Sequence, residues 1–126
     1  MQGSNIVAQE FDILILGGGS AGYATALRAR QLGFSVGLIE KDKVGGTCLH
    51  TGCIPTKAYL HAAELAEDAR EASKVGVNTE LQSIEMGKVR NYKDGIVGGK
   101  FKGLSGLLKM KGVEVINGEG KLTGKD

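Results

Sequence analysis

The chain has no tryptophan, one proline, two cysteines, two histidines and only 5% aromatic residues among 126. Each scarcity removes a class of protein. Two cysteines are too few for the disulfide framework of a small secreted domain, and a close pair in a reducing compartment is more often redox-active or metal-binding than structural. A zinc site usually wants four ligands, and His50 and His61 make no recognisable ligand pair with Cys48 and Cys53, so no metal site is expected. His50 reads as a loop residue near a site entrance, and His61 as facing solvent or a neighbouring domain. No apolar run approaches the roughly 18 residues of a spanning helix. Basic and acidic residues are interspersed and sum to +2, which leaves no charge block to mark a nucleic-acid or membrane partner. Met1 to Glu10 lacks the basic start, apolar middle and small-residue cleavage site of a signal peptide, and is expected to be a flexible arm. The expectation is a soluble, cytoplasmic protein with one domain over residues 11–126.

Glycine is what the chain has in excess, 21 residues concentrated at 17–22, 45–52, 95–106 and 118–124. Phe11 to Leu16 is an apolar run broken only by Asp12, the pattern of a strand buried on both faces of a parallel sheet, with Asp12 at its exposed start. It flows into Gly17-Gly18-Gly19-Ser20-Ala21-Gly22, then a small-residue helix over Tyr23 to Leu32 that Gly33 ends. Ser35 to Glu40 is a second strand ending on an acid. This order predicts an α/β fold, a three-layer Rossmann-like unit on a parallel sheet.

Gly17, Gly19 and Gly22 fit G-x-G-x-x-G. The first glycine makes the turn, the second lets backbone approach a pyrophosphate, and the third lets helix and strand pack. The helix start at Ser20, Ala21 and Gly22 then offers N–H groups to phosphates. Glu40 stands where a carboxylate accepts both ribose hydroxyls of an adenosine, and Lys41 beside it is placed at the same cofactor. This unit alone does not separate FAD from NAD, and Glu40 argues only against a 2′-phosphate.

Gly45-Gly46-Thr47-Cys48-Leu49-His50-Thr51-Gly52-Cys53-Ile54-Pro55-Thr56-Lys57 holds both cysteines and the one proline. Thr47 is expected to cap a helix that begins near Cys48 and runs to about Ala72. In a regular helix the two cysteine Cα atoms lie about 140° apart around the axis and roughly 8 to 9 Å from one another, beyond the approximately 7 Å reach of a disulfide. A bond between them therefore requires distorted first turns, for which Gly52 and Pro55 supply the means. A helix N-terminus favours the thiolate needed for disulfide exchange. Lys57, one turn after Cys53, is either a solvated lysine or an ammonium that stabilises a thiolate or an anionic ring.

The glycine unit, Glu40 and the stretch from Gly45 to Lys57 together resemble the flavoprotein pyridine nucleotide-disulfide oxidoreductases. The Cys-Leu-His-Thr-Gly-Cys-Ile-Pro-Thr-Lys wording is most similar to the dihydrolipoyl dehydrogenase group among them, and the similarity runs from about Phe11 to Lys125. The resemblance implies FAD as cofactor, Cys53 as the flavin-proximal sulfur, Cys48 as the sulfur that exchanges with a dithiol, and Lys57 near the flavin. Gly45, Gly46, Thr47 and Cys48 would line the pyrophosphate and ribityl chain. It also implies a lipoyl-bearing acyltransferase of a 2-oxo acid dehydrogenase complex as partner, a homodimer, and NAD as the final acceptor in the whole enzyme.

Residues 73–82 read as a polar loop. Ser83 to Lys111 has loosely helical apolar spacing weakened by Gly87, Gly95, Gly98, Gly99, Gly103 and Gly106, which suits either close approach to another helix or a locally flexible helix. Val113 to Asn117 is a third strand. In the family the following turn touches adenine, which brings in Gly118 and Gly120, and Lys121 to Asp126 is expected to open an antiparallel meander. The chain is expected to stop before the rest of the FAD domain, the NAD domain and the interface domain, and so to be unable to complete the cycle alone. The alternatives are a stand-alone thiol or flavin module working with a separate chain, and an inactive fragment.

Overall fold

The structure, a computed structural model, describes residues 8–125. The expected arm lies outside the described residues up to position 7, and residues 8–10 are exposed without regular structure. The chain divides into two compact units, one formed by residues up to Val44 with those from Leu107 onward, the other by Gly45–Gly106.

The first unit is a parallel sheet in the order β1 (Ile13–Leu16), β2 (Val36–Glu40), β3 (Glu114–Asn117), with α1 (Ser20–Gln31) joining β1 to β2. Ile13 pairs with Val36 and Gly37 with Glu114, so β2 is central and the three strands end together at Leu16, Glu40 and Asn117. The α/β class, the parallel sheet and the β-α-β order are as the sequence predicts. The core gathers Ala26 and Ala29 of α1 with Val36, Leu38, Leu108 and Val113. Fully burying a leucine such as Leu38 or Leu108 contributes about 1.5–3 kcal/mol.

One expectation about β1 is corrected. Burial alternates along the strand, with Leu14 and Leu16 still 57% and 54% exposed, so it is not buried on both faces. Among the described residues β1 has β2 as its one strand neighbour. On β2, Gly37 has no side chain because none fits there: a Cβ would lie 2.8 Å from Leu14 Cδ1 and 2.9 Å from the Phe11 ring.

The start of the sheet is tied by two polar clamps. Asp12 N–H donates to Ser35 Oγ at 2.8 Å while the Asp12 carboxylate accepts Ser35 N–H and O–H, each at 2.7 Å. The Arg30 guanidinium, from the last turn of α1, donates to the Phe34 and Lys111 carbonyls just ahead of β2 and β3. Both clamps act at the strand beginnings, so the strand ends are left for the glycine turns. After β3 the described residues form no further strand, so the expected meander from Lys121 is not seen among them.

The second unit is helical. It contains α2 (Gly46–His50), α3 (Cys53–Glu71), a single 3₁₀ turn at Ala72–Val75 that overlaps the start of the predicted polar loop, and α4 (Met86–Met110), whose last turn from Leu107 counts with the first unit. Leu49, Pro55, Ala58 and Ala66 are its buried apolar side chains. His50 ends α2 rather than lying in a loop, edge-on to the Phe101 ring at 5.3 Å. His61 is exposed on α3, its ring centroid 6.3 Å from that of Tyr92. No described helix is long and apolar enough to cross a membrane.

Candidate functional site

Two groups of predicted residues are assembled, one in each unit. In the first unit the three strand ends bring together Gly17, Glu40 and Gly118. Gly17 N–H donates to the Ile39 carbonyl at 2.8 Å and Gly118 N–H to the Glu40 carbonyl at 2.9 Å, which fixes both flanking turns to β2. The Glu40 carboxylate accepts two more backbone donors, Gly18 N–H at 2.7 Å on one oxygen and Asp42 N–H at 2.9 Å on the other. Those N–H groups of Asp42 and Gly18, in that order, hold its pKa below the usual value, with Lys41 adding a smaller attraction.

A recess of about 270 Å³ lies beside Glu40, lined by Leu16, Gly17, Ile39, Glu40, Lys41, Gly118, Glu119 and Gly120. A second, of about 450 Å³, runs from Leu16 and Gly17 along Gly19, Ser20, Ala21, Gly22 and Thr25 at the start of α1. The two recesses share Leu16 and Gly17. The sequence-predicted residues Gly17, Glu40, Lys41, Gly118 and Gly120 thus meet in the first, and Gly17, Gly19, Ser20, Ala21 and Gly22 in the second.

The three motif glycines have separable physical reasons. Gly17 has φ +99°, a conformation that side chains resist. A Cβ on Gly22 would lie 1.9 Å from the Gly17 carbonyl oxygen, so helix and turn close on each other only because it is absent. A Cβ on Gly19 would meet nothing within 4 Å, so that glycine keeps open space at the helix start. Among the described residues no side chain caps α1, and its first turn has no acid. Open backbone, an uncapped positive helix end and a carboxylate one recess away are complementary to a diphosphate joined to a ribose. The residues present therefore fit the adenine-dinucleotide part of a flavin cofactor.

In the second unit the cysteine stretch is built differently from the expectation of one distorted helix. The chain makes α2, breaks at Thr51 and Gly52, and starts again as α3 at Cys53. Thr47 is not the cap: Gly45, with φ +111°, precedes the first residue of α2, and no side chain caps it. A Cβ on Gly45 would lie 2.3 Å from Leu49 Cδ2, so the turn into α2 requires glycine twice over. Pro55 agrees with the break between the two helices, which falls at Thr51, the residue whose carbonyl a continuous helix would bond to the missing Pro55 N–H. It sits buried in the first turn of α3, whose first bond runs from Thr56 N–H to the Gly52 carbonyl, so its missing N–H takes no bond from that helix.

Cys48 lies half-buried within α2 and Cys53 exposed as the first residue of α3; both are thiols. The positive end of α3 favours negative charge at its first residue. Lys57 is exposed one turn further along α3. Among the described residues no three His, Cys, Asp or Glu side chains stand in a metal-holding group.

Sequence reasoning passed over Gly18 and Glu119. Gly18 is the variable position of the glycine pattern, yet it is buried and its N–H holds Glu40. The signal available was the unbroken run of three glycines, longer than the pattern requires. Glu119 lines the smaller recess between the two predicted glycines and had only its position to mark it.

A family model described as pyridine nucleotide-disulphide oxidoreductase matches residues 11–126. The dihydrolipoyl dehydrogenase of Bacillus subtilis is 45% identical over 118 residues, covering 94% of this chain and 25% of that protein. The dihydrolipoyl dehydrogenase of Acholeplasma laidlawii is 40% identical over 117 residues, covering 92% of this chain and 35% of that protein. The crystal structure of LpdA from Mycobacterium tuberculosis matches with a TM-score of 0.79 at 28% identity, covering 89% of this chain and 24% of that one. The chain thus spans about a quarter of the length of the Bacillus subtilis relative.

Proposed function

The chain belongs to the pyridine nucleotide-disulphide oxidoreductase family, and from that premise we propose that it is the FAD-binding, cysteine-bearing part of a dihydrolipoyl dehydrogenase-like enzyme. The observation that carries the reading is the convergence of Gly17, Glu40, Lys41, Gly118 and Gly120 on one recess beside the uncapped start of α1. In this reading the backbone at Gly19 to Gly22 binds the pyrophosphate and Glu40 accepts the ribose hydroxyls. Backbone at Gly118 and Gly120 contacts the adenine. When bound, the flavin supplies a two-electron acceptor.

The chain's own chemistry is thiol–disulfide exchange. With Cys48 and Cys53 oxidised to a disulfide, a thiolate of the dihydrolipoyl group attacks the Cys48 sulfur, and the Cys53 thiolate leaves. The second dihydrolipoyl thiolate then attacks the substrate sulfur of that mixed disulfide and expels the Cys48 thiolate. The substrate departs as the cyclic disulfide, having lost two electrons and two protons, and the cysteine pair has gained the electrons. Lys57 and the positive end of α3 stabilise the Cys53 thiolate once it is expelled. The proposed partner is a lipoyl-bearing acyltransferase, and in the whole enzyme NAD takes the electrons last.

Fluorescence titration of the purified chain with FAD tests the cofactor assignment. Saturable binding that ADP competes away is expected, and FAD binding that ADP leaves untouched would overturn it. Cys53→Ser is expected to abolish oxidation of dihydrolipoamide by the pre-oxidised chain while leaving FAD affinity within about twofold, because the recess residues are unchanged. Loss of both together would mean that the roles are misassigned.

A further inference from the structure

We infer that Glu40 is a positioning residue: holding Gly18 N–H with one carboxylate oxygen and Asp42 N–H with the other, it sets the glycine turn before ligand arrives and so supports diphosphate binding as well as ribose binding. The inference rests on the reading of the first unit as an adenine-dinucleotide site.

The turn after β1 has little else to hold it. Gly17 still donates to the Ile39 carbonyl, as a sheet continuation would, but its positive φ swings the chain away from β2. The next donor, Gly18 N–H, finds the Glu40 side chain instead of backbone, at 2.7 Å. The fit is close on every side: a Cβ on Gly18 would lie 3.1 Å from Glu40 Oε2, 3.3 Å from Glu40 Cβ and 3.1 Å from Val44 Cγ1. The turn therefore lies directly on Glu40. The same residue accepts Gly118 N–H through its backbone carbonyl and Asp42 N–H through its second oxygen, so one side chain and one peptide link the three segments that wall the recess.

Ribose binding does not compete with this task. An ionised carboxylate offers about four lone-pair sites, and the N–H groups of Gly18 and Asp42, with a weaker approach from the Lys41 N–H, leave acceptor capacity for a ribose hydroxyl. The remaining charges nearby are Lys41 and Asp42 on the following loop and Glu119 across the recess, and among the described residues no side chain bonds the carboxylate. Glutamine keeps the shape but has a single acceptor oxygen, and its NH₂ group would face one of the two donors. Either Gly18 N–H or Asp42 N–H would lose its partner.

The test compares the wild-type chain with Glu40→Gln, and with Glu40→Asp as a charge-keeping variant should glutamine prevent folding. Without ligand, amide hydrogen exchange at Gly18 and Asp42 is read by NMR; exchange is expected to rise about tenfold or more at whichever of the two amides faces the glutamine NH₂, and at both in the shorter Glu40→Asp, while β2 amides stay protected. With ligand, calorimetry measures ADP and 2′,3′-dideoxy-ADP, which keeps the diphosphate but has no ribose hydroxyls. Positioning predicts that Glu40→Gln weakens both ligands, the dideoxy compound by about tenfold. If the dideoxy compound binds wild type and variant equally while ADP alone weakens, Glu40 acts on the ribose only and the inference is overturned. If neither ligand binds wild type, the dinucleotide reading fails and takes the inference with it, and the ligand-free exchange at Gly18 then shows whether the Glu40 contact itself was at fault.

Discussion

Gly19 and Gly22 stand three positions apart in one turn under different constraints, and substitution separates them. Gly22→Ala forces a methyl group against the Gly17 carbonyl, whose backbone has nowhere to go because Gly17 is bonded to Ile39. Urea denaturation should show a loss of at least about 1–3 kcal/mol. Gly19→Ala meets nothing, so stability should stay within about 0.5 kcal/mol while FAD affinity falls. The spacing made all three glycines legible as a motif. It did not reveal Gly18, since a hydrogen bond to a side chain 22 positions away leaves no periodic trace. The charge on Glu40 gives a pH prediction at the same scale. Its folded pKa lies below the usual value, so its stabilising contribution is full above the unfolded carboxylate pKa of about 4.3 and is lost as pH falls through the lowered folded one. The wild-type advantage over Glu40→Gln in urea midpoint should therefore be greatest near neutrality and shrink below about pH 4. Asp12 is shifted the same way by Ser35 and titrates in both proteins, so it cancels from the difference.

The break between α2 and α3 shows how far spacing reaches at the level of elements. Five positions between cysteines already imply that a regular helix cannot bond them. Where the helix gives way depends on a backbone approach that spacing does not encode: a Cβ on Gly52 would lie 2.9 Å from the Thr47 carbonyl oxygen, the acceptor of the Thr51 N–H bond. Gly52→Ala should destabilise the chain by about 1–3 kcal/mol in chemical denaturation and lower the equilibrium constant for oxidation of the cysteine pair by glutathione disulfide. α4 posed the opposite problem. Its glycines argue against a helix, yet it runs 25 residues, with Val89, Ile96, Val97, Phe101 and Leu104 half-buried along one side. A Cβ at any of its glycines meets nothing within 4 Å, so within this chain close approach is not their reason. Gly98→Ala should then raise the stability by up to about 1 kcal/mol, read as a higher melting temperature.

At the scale of the whole chain, the β-α-β unit was legible because its periodicities are local, and β3 because it is a short apolar run bounded by glycine. The departure after Val44 and return at Leu107 were not, since both junctions fall inside continuous patterns: a glycine-rich stretch and an amphipathic helix. These 126 residues contain one G-x-G-x-x-G unit followed by one strand-ending acid, Gly17 to Gly22 with Glu40. The proposed cycle uses two dinucleotides, FAD and NAD, and one such unit accommodates one of them. The purified 126-residue chain, loaded with FAD, with its cysteines pre-oxidised and oxygen excluded, should therefore oxidise at most about two equivalents of dihydrolipoamide per chain, the capacity of one disulfide and one flavin, and then stop. Added NAD should not restart it, and NADH absorbance should stay flat after the thiol burst. Cys48→Ser should remove the burst itself, which identifies the cysteine pair as the oxidant. Sustained NADH formation would mean that these residues hold a nicotinamide site the glycine count does not disclose, and that one unit serves both dinucleotides in turn.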